Sequence, residues 1–215
     1  KDQTYFLHEV TEKEFSKCLF PLENLIKSEV RDIALNNNLV TANKKDSVGI
    51  CFVGEKNLKD FLNRFIEFKK GNIKDENNNV IGQHQGAILY TQGQRHGLMI
   101  GGVKGKEELP WYVYKKDIPN NEIYVCQGGD NELLMNKGLY VEDINFINDI
   151  NYQYPINCAV QVRHQLAPVT CVIEKISNKF RVTFSEPIRA IAPGQSAVFY
   201  DDKICLGGGV ICKTF

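Results

Sequence analysis

The stretch CAVQVRHQLAPVTCVIEKISNKFRVTFSEP, residues 158–187, decides the fold class of the carboxyl-terminal half. Its β-branched and aromatic residues alternate with polar ones, and turn-forming residues interrupt the runs. Such runs, spaced about 8–12 residues apart, are typical of a β-barrel or sandwich. Runs of the same kind occur on both sides of it: AILYTQG, WYVYKKD, EIYVCQG, SAVFYDD and KICLGGGVI. We therefore predict a β-rich region from Gly71 onwards.

The first 70 residues have a different pattern, which predicts helices. TEKEFSKCLF places Glu14 three positions after Thr11, a capping-box spacing, and SEVRDIALNNN begins with Ser28 as a candidate cap. EKNLKDFLNRFIEFKK has apolar residues at helical spacing, which predicts a helix with a buried aromatic face. Helices followed by strands predict a multidomain α+β protein. The expected divisions are residues 1–70, 71–118 and 119–215.

Composition excludes few functions. The chain has 26 Lys and Arg against 26 Asp and Glu, so its formal net charge is zero. A local surplus of basic residues remains in residues 151–215, which hold seven Lys or Arg and four Asp or Glu. On a barrel, such a surplus suits a surface that follows phosphates, although a solvated face is the commoner explanation. No apolar run approaches the roughly 18 residues of a membrane span, so we expect a soluble protein.

The seven cysteines are scattered, odd in number and without a CxxC pair. This pattern disfavours both a zinc ribbon and a secreted disulfide framework, and it fits reduced thiols in the cytoplasm. Cys51 differs from the others because it lies in KDSVGICFVGEKNLKDF, residues 45–61, just before a predicted helix. A thiol at a helix N-terminus has a lowered pKa and becomes nucleophilic, and Lys44 and Lys45 would add to this effect. A buried structural thiol is the alternative, and from these residues alone it stays open.

The densest polar and glycine-rich segment is GQHQGAILYTQGQRHGLMIGG, residues 82–102. It contains neither a Walker loop nor a GxGxxG opening a helix. His84 and His96 are 12 positions apart, with no carboxylate or thiol at ligand spacing, so we expect no metal site. Arg95 and His96 are suited to meet a phosphate, but glycines that only serve turns are the simpler interpretation.

Several segments, in this order along the chain, resemble the bacterial tRNA-specific 2-thiouridylases. They are KDQTYFL, FPLENLIKSEVRDIA, DSVGICFVGEKNLKDFL, GQHQGAILYTQGQRHGLMIGG, PWYVYKKD and PGQSAVFYDDKICLGGGVI. The resemblance implies a PP-loop ATP-binding domain, a small central domain and a C-terminal antiparallel β-barrel. The SGGxDS loop and the first catalytic cysteine of the family are absent here. We therefore expect a fragment with a helical remnant of the ATP domain, inactive alone, in which ATP belongs to the missing domain.

The resemblance also implies a reaction and its residues. In this family ATP adenylates the 2-oxygen of the wobble uridine, and a cysteine persulfide then delivers sulfur to C2. The second family cysteine lies in a GICF segment, which assigns the persulfide, or a disulfide with the missing cysteine, to Cys51. The resemblance places the family's tRNA contacts in three segments of this chain. They are Lys1, Asp2 and Gln3 at its start, Arg163 and His164 in the barrel, and Gln195 in the PGQ turn.

One departure affects these contacts. Family members often have Arg-Tyr-Arg-Gln where this chain has RHQL, so His164 replaces a tyrosine and Gln165 replaces an arginine. A histidine still stacks on a base or binds a phosphate, whereas the lost arginine weakens the expected contact. The expected partners are tRNA and an upstream sulfur-donor protein, with no membrane. The alternatives are a non-catalytic RNA-binding β-barrel module with a structural Cys51, and a sulfur relay that only carries persulfide.

Overall fold

A computed structural model describes residues 3–45, 61–102, 105, 107–148, 150–164 and 166–215. They form three successive parts: a partly helical amino-terminal part, a four-stranded sheet and a closed barrel. The multidomain α+β fold with a C-terminal antiparallel barrel is thereby confirmed. No helix within these ranges has the length and apolar character needed to cross a membrane.

The amino-terminal part forms short helices within residues 3–45. Residues 3–45 contain a 3-10 turn, Thr4–Leu7, and two α-helices, α1 (Glu12–Phe15) and α2 (Lys27–Asn36). The Glu14 carboxylate accepts a hydrogen bond from the Thr11 backbone N–H at 2.8 Å, as the capping-box spacing predicts. Neither α-helix has a buried residue, so little packing stabilises these two helices.

Two details of this part differ from the prediction. Helix α2 begins earlier than its predicted cap, because Glu29 accepts a hydrogen bond from the Ile26 N–H at 2.8 Å and draws the start of the helix back. The predicted buried aromatic face is wrong at Phe65, whose side chain is 73% exposed. The beginning of that predicted helix, through residue 60, lies outside the described residues.

The central sheet has four strands in the order β2-β1-β4-β3. Its core contains Ile73, Val113, Ile123 and Val125, all fully buried. Strands β1 and β4 are parallel, and the other neighbours are antiparallel. The sheet continues past the boundary predicted at residue 118, which falls in the turn between β3 and β4. The strands are β1 (Gly71–Lys74), β2 (Val80–His84), β3 (Trp111–Asp117) and β4 (Glu122–Gln127).

The barrel closes because β10 pairs with both β7 and β11, which joins the two ends of the order β10-β7-β8-β9-β5-β11. Inward-facing residues alternate along each strand, and Phe199, Leu139, Ile173 and Ile211 fill the interior. Strand β6 pairs with β11 outside the ring. The strands are β5 (Met135–Val141), β6 (Asn145–Phe146), β7 (Ile156–Gln161), β8 (Val169–Ile176), β9 (Lys179–Arg189), β10 (Ser196–Asp201) and β11 (Ile204–Thr214).

A glycine at the start of β11 explains how β6 approaches so closely. Gly207 has φ of 137°, and a Cβ there would meet the backbone of Asn145. Only glycine adopts this conformation without strain and leaves room for the neighbouring backbone. Gly207, the first glycine of the GGG run, therefore allows β6 to pack closely against β11.

Candidate nucleic-acid interface

The amino-terminal segment docks on the outside of the barrel through Tyr5. Tyr5 is only 7% exposed and packs in a cluster with Val198 and Tyr200 of β10. Its hydroxyl donates a hydrogen bond to the Ser196 carbonyl at 2.9 Å. The hydroxyls of Thr4 and Tyr200 are also within 3.3 Å of each other. We call residues 3–8 the anchor segment, because these contacts fasten it to β10.

His8 fastens the other end of the anchor segment. Its side chain is 5% exposed and lies over Gly208, where an added Cβ would come within 3.0 Å of the imidazole. The Asn145 side-chain amide donates to the His8 carbonyl at 2.9 Å. Burial lowers the pKa of His8, although Glu9 and the Gly208 backbone oppose this shift. His8 is therefore a neutral structural residue near pH 7.

The anchor segment brings together residues that are distant in the sequence. The ring centroids of Phe6 and His164 are 4.6 Å apart, and those of Tyr5 and His164 are 5.9 Å apart. The pKa of Tyr5 is raised by burial, while the bond to Ser196 and the nearby charge of Arg163 oppose this shift. Ser196 directly follows Gln195. Four expected contact residues, which we call the converging cluster, therefore share one end of the barrel: Gln3, Arg163, His164 and Gln195.

Strand direction explains why the barrel members of the converging cluster meet. Arg163 and His164 follow the end of β7, whereas Gln195 precedes the start of β10. Because β7 and β10 are antiparallel neighbours, the end of one lies beside the start of the other. The Tyr200 hydroxyl also donates to the Gln161 side-chain carbonyl at 3.1 Å, which connects the two strands near this end.

The converging cluster has the chemistry needed to bind nucleic acid. An Arg163 Nη2 donates to the Ala190 carbonyl at 3.3 Å, which orients the half-buried guanidinium. Gln195 is exposed, and its backbone is held by hydrogen bonds to Ala192 at 3.2 Å and from Ile211 at 2.8 Å. A guanidinium suits phosphate oxygens, and the Phe6 and His164 rings offer stacking surfaces.

Sequence reasoning missed Tyr5 and Phe6, which join the cluster. The available signal was the apolar run TYFL directly after the polar KDQ. Such a run is too short to reveal which surface it covers. Of the expected site residues, Lys1, Asp2 and Cys51 lie outside the described residues. The same is true of the whole range 46–60 around Cys51.

The two histidines of the glycine-rich segment have separate environments. His84 is fully buried, and its Nδ1 accepts a hydrogen bond from the Gly86 N–H at 2.9 Å. Burial lowers the pKa of His84, while the Asn121 carbonyl beside it opposes the shift. His96 is exposed. Within the described ranges, no three ligating side chains gather into a cluster that suits a metal ion.

The six described cysteines are all free thiols. Cys126, Cys158 and Cys171 are buried, as expected for core residues, whereas Cys18 is exposed. Burial raises the pKa of Cys126 to about 11, with Glu76 adding to the effect. The Sγ atoms of Cys158 and Cys171 are 3.6 Å apart across β7 and β8. The pKa of Cys171 is raised by its bond to Cys158 and by burial, whereas the same bond lowers the pKa of Cys158 against the effect of its burial. Cys126 and Cys171 are therefore poor nucleophiles.

Comparison with known families agrees with the three parts of the structure. Residues 1–55 match the family model described as a tRNA methyl transferase HUP domain. Residues 59–127 match the tRNA methyl transferase PRC-barrel domain, and residues 136–211 match the aminomethyltransferase beta-barrel domain. The second match ends where β4 ends, and the third lies within the closed barrel.

Curated relatives extend these matches along nearly the whole chain. The tRNA-specific 2-thiouridylase MnmA of Pseudomonas fluorescens is 48% identical over 211 residues, which is 98% of this chain and 56% of the relative. That of Buchnera aphidicola is 48% identical over 214 residues, or 99% and 58%, and that of Francisella tularensis subsp. novicida is 47% identical over 212 residues, or 98% and 59%. The chain thus spans less than three-fifths of the length of these relatives. On these matches, the chain belongs to the tRNA-specific 2-thiouridylase family.

Proposed function

We propose that this chain is part of an enzyme that replaces the 2-oxygen of the wobble uridine of tRNA with sulfur, and that the converging cluster binds the tRNA. The observation that carries the proposal is the docking of the anchor segment. Through Tyr5 and Phe6, it gathers residues from three separate segments at one end of the barrel. The family membership supplies the RNA as the partner.

The converging cluster suits RNA because it combines one permanent cation with hydrogen-bonding and stacking groups. Arg163 supplies the charge, Gln3 and Gln195 supply amides, and His164 stacks beside Phe6 at 4.6 Å. RNA-binding proteins read shape and backbone with such groups, and they splay single bases into a pocket for chemistry. Lys1 and Asp2, which precede Gln3 in the sequence, belong to the same proposed surface.

Cys51 is the residue that we propose to carry the persulfide. Its terminal sulfur attacks C2 of the adenylated uridine, and the adenylated 2-oxygen leaves as AMP. A second cysteine thiolate then attacks the Cys51 sulfur, which breaks the persulfide S–S bond, leaves the outer sulfur on C2 and joins the two cysteines in a disulfide. Two observations support Cys51: its place before a predicted helix, and the raised pKa values of the buried Cys126 and Cys171 thiols, which disfavour their thiolates. An upstream protein supplies the sulfur, and the reaction takes place in the cytoplasm.

ATP activates the uridine in this proposal, but the chain's own residues do not fit it. The sequence holds neither an SGGxDS loop nor a GxxxxGK[ST] loop, which are the glycine-rich segments that cradle phosphates. We therefore assign no residue of this chain to ATP, which in our proposal binds elsewhere in the enzyme. Alone, the 215-residue chain is expected to bind tRNA without thiolating it.

The salt dependence of tRNA binding tests the RNA-binding part of the proposal. Replacing Arg163 by glutamine removes one cation, so the slope of log K against log salt is expected to become shallower by about one unit. Arg181→Gln is the matched control, because Arg181 lies at the opposite end of β9 from Ala190, over the Phe215 ring. Equal effects of the two variants would show that binding is diffuse charge attraction and would remove the cluster from the proposal.

Cysteine reactivity tests the catalytic part separately. The alkylation rate of each cysteine against pH, resolved by mass spectrometry, is expected to show Cys51 reacting fastest, with a midpoint below the usual value of about 8.5. In a full-length relative, replacing the cysteine equivalent to Cys51 by serine is expected to abolish thiolation while tRNA binding persists. Thiolation that survives this substitution would leave the non-catalytic RNA-binding module as the better description of this chain.

A further inference from the structure

Two residues at the end of β9 join the barrel to the central sheet. The Arg189 Nε donates to the Gly129 carbonyl at 2.7 Å, and its guanidinium carbon lies 4.6 Å from the centre of the Tyr112 ring of β3. The next residue, Ala190, faces Gly93 of the central domain so closely that a Cβ on Gly93 would lie 2.5 Å from the Ala190 Cβ. The two domains are therefore in direct contact at residues 189 and 190.

Both sides of this contact are held firmly. On the central domain, the Gly93 N–H donates to Val113 of β3 at 2.7 Å, and the Val113 N–H donates to Gln94 at 3.0 Å. On the barrel, the Ala190 N–H donates to Leu134 at 2.7 Å, and Ala190 has φ of 55°, in the left-handed region. A displacement on one side is thus transmitted to the other rather than absorbed.

Ala190 also touches the converging cluster. Its carbonyl accepts the hydrogen bond from Arg163 Nη2 at 3.3 Å. One residue therefore contacts the central domain through its methyl group and Arg163 through its carbonyl. Arg95, exposed in the same loop as Gly93, lies two residues from the contact.

We propose that the contact between Gly93 and Ala190 positions Arg163 for RNA, so that the central domain sets the strength of a contact made by the barrel. The proposal rests on the proposed function, because Arg163 must bind RNA for its position to matter. Gly93 and Ala190 are positioning residues here, since they act through the Ala190 carbonyl and not by touching the RNA.

A pair of glycine substitutions isolates the contact. Gly93 and Gly97 lie in one loop with almost equal φ, 81° and 80°, so alanine strains the backbone alike at both. They differ in surroundings, because the nearest atom to a Cβ on Gly97 is Gln94 Nε2 at 3.9 Å. Any difference between Gly93→Ala and Gly97→Ala therefore reports the collision with Ala190.

The measurement is the affinity of the 215-residue chain for tRNA over a series of salt concentrations. Gly93→Ala is expected to weaken binding roughly five- to eightfold at 0.1 M salt relative to Gly97→Ala, and to make the salt slope shallower by about 0.7–0.9. Adding Ala190→Gly removes the colliding methyl group, so the Gly93→Ala/Ala190→Gly double variant is expected to bind like Gly97→Ala. In an Arg163→Gln background, Gly93→Ala is expected to add nothing beyond the effect of Gly97→Ala.

The outcomes separate this inference from the proposed function. Equal affinities and slopes for Gly93→Ala and Gly97→Ala would overturn the inference and leave RNA binding intact. An undiminished effect of Gly93→Ala in the Arg163→Gln background would also overturn it, because the contact would then act by another route. Absence of salt-dependent tRNA binding in the unsubstituted chain would instead refute the proposed function, and this inference with it. Thermal melts of every variant show whether it is folded, and the double variant supplies the folded comparison if Gly93→Ala alone is not.

Discussion

Tyr5 is the residue whose change most directly tests how the anchor segment is held. Tyr5→Phe removes the 2.9 Å hydrogen bond to Ser196 while keeping the buried ring. A bond of this kind contributes about 1 kcal/mol net, which corresponds to roughly a fivefold shift in the docking equilibrium. Tyr5→Ala removes a side chain that is only 7% exposed, and losing a buried aromatic ring costs about 3–5 kcal/mol.

Amide hydrogen exchange measures this docking residue by residue. The Val10 N–H donates to Leu7 at 3.0 Å, and the Glu12 N–H donates to Ile147 at 2.9 Å, so both amides report on the segment. Their exchange is expected to speed up about fivefold in Tyr5→Phe, and more than about a hundredfold in Tyr5→Ala, if exchange follows the opening equilibrium. The strands of the barrel core are expected to keep their protection.

Tyr124→Phe is the matched control for this experiment. The Tyr124 hydroxyl donates to the Glu122 carboxylate at the same distance, 2.9 Å, but within the central sheet. This variant is expected to leave the exchange of Val10 and Glu12 unchanged. Protection at these two amides that is equal in Tyr5→Ala and the unsubstituted chain would refute the role of Tyr5 as the anchor.

Two further predictions concern stability. Burial lowers the pKa of His8, so the folded chain resists its protonation, and the resulting stability is present above the unfolded pKa of about 6.5 and lost as the pH falls below it. Thermal melts between pH 7.5 and 5 are therefore expected to show a smaller loss of stability in His8→Gln than in the unsubstituted chain. An unchanged loss, or an equal change in the exposed control His96→Gln, would contradict this cause. Gly138→Ala places a Cβ against the Phe215 ring and the Val182 carbonyl of β9. Chemical denaturation is therefore expected to show a free energy of unfolding that is lower by about 1–3 kcal/mol or more. Its control is Gly101→Ala, where nothing lies within 4 Å, and equal losses in the two variants would rule out overpacking.

Local patterns predicted the strands well because each strand carries its own signal. Residues such as Val160 and Ile173 alternate with polar neighbours, and this alternation survives in the barrel as alternating burial. The Thr11 and Glu14 spacing likewise predicted a cap that depends only on neighbours in the chain. Where an interaction is local, neighbouring residues in the sequence are enough to predict it.

These local patterns did not predict the contacts between distant segments of the chain. Nothing in TYFL indicates that Tyr5 packs on Val198, and nothing in GQRHG indicates that Gly93 meets Ala190. The aromatic stripe that predicted a buried face leaves Phe65 exposed, because helical spacing specifies a face but not what covers it. The resemblance named the members of the converging cluster, and the fold supplied the anchor segment that joins them.

Photo-crosslinking of a tRNA carrying 4-thiouridine next to its wobble position, mapped by mass spectrometry, tests most directly whether the converging cluster is an RNA surface. The expected crosslinks fall on the anchor segment, on the turn after β7 that holds Arg163 and His164, and on the turn that holds Gln195. Tyr5→Ala is expected to reduce all three together, because the anchor segment joins them. Crosslinks confined to other surfaces, such as the Arg181 end of the barrel, would contradict the account.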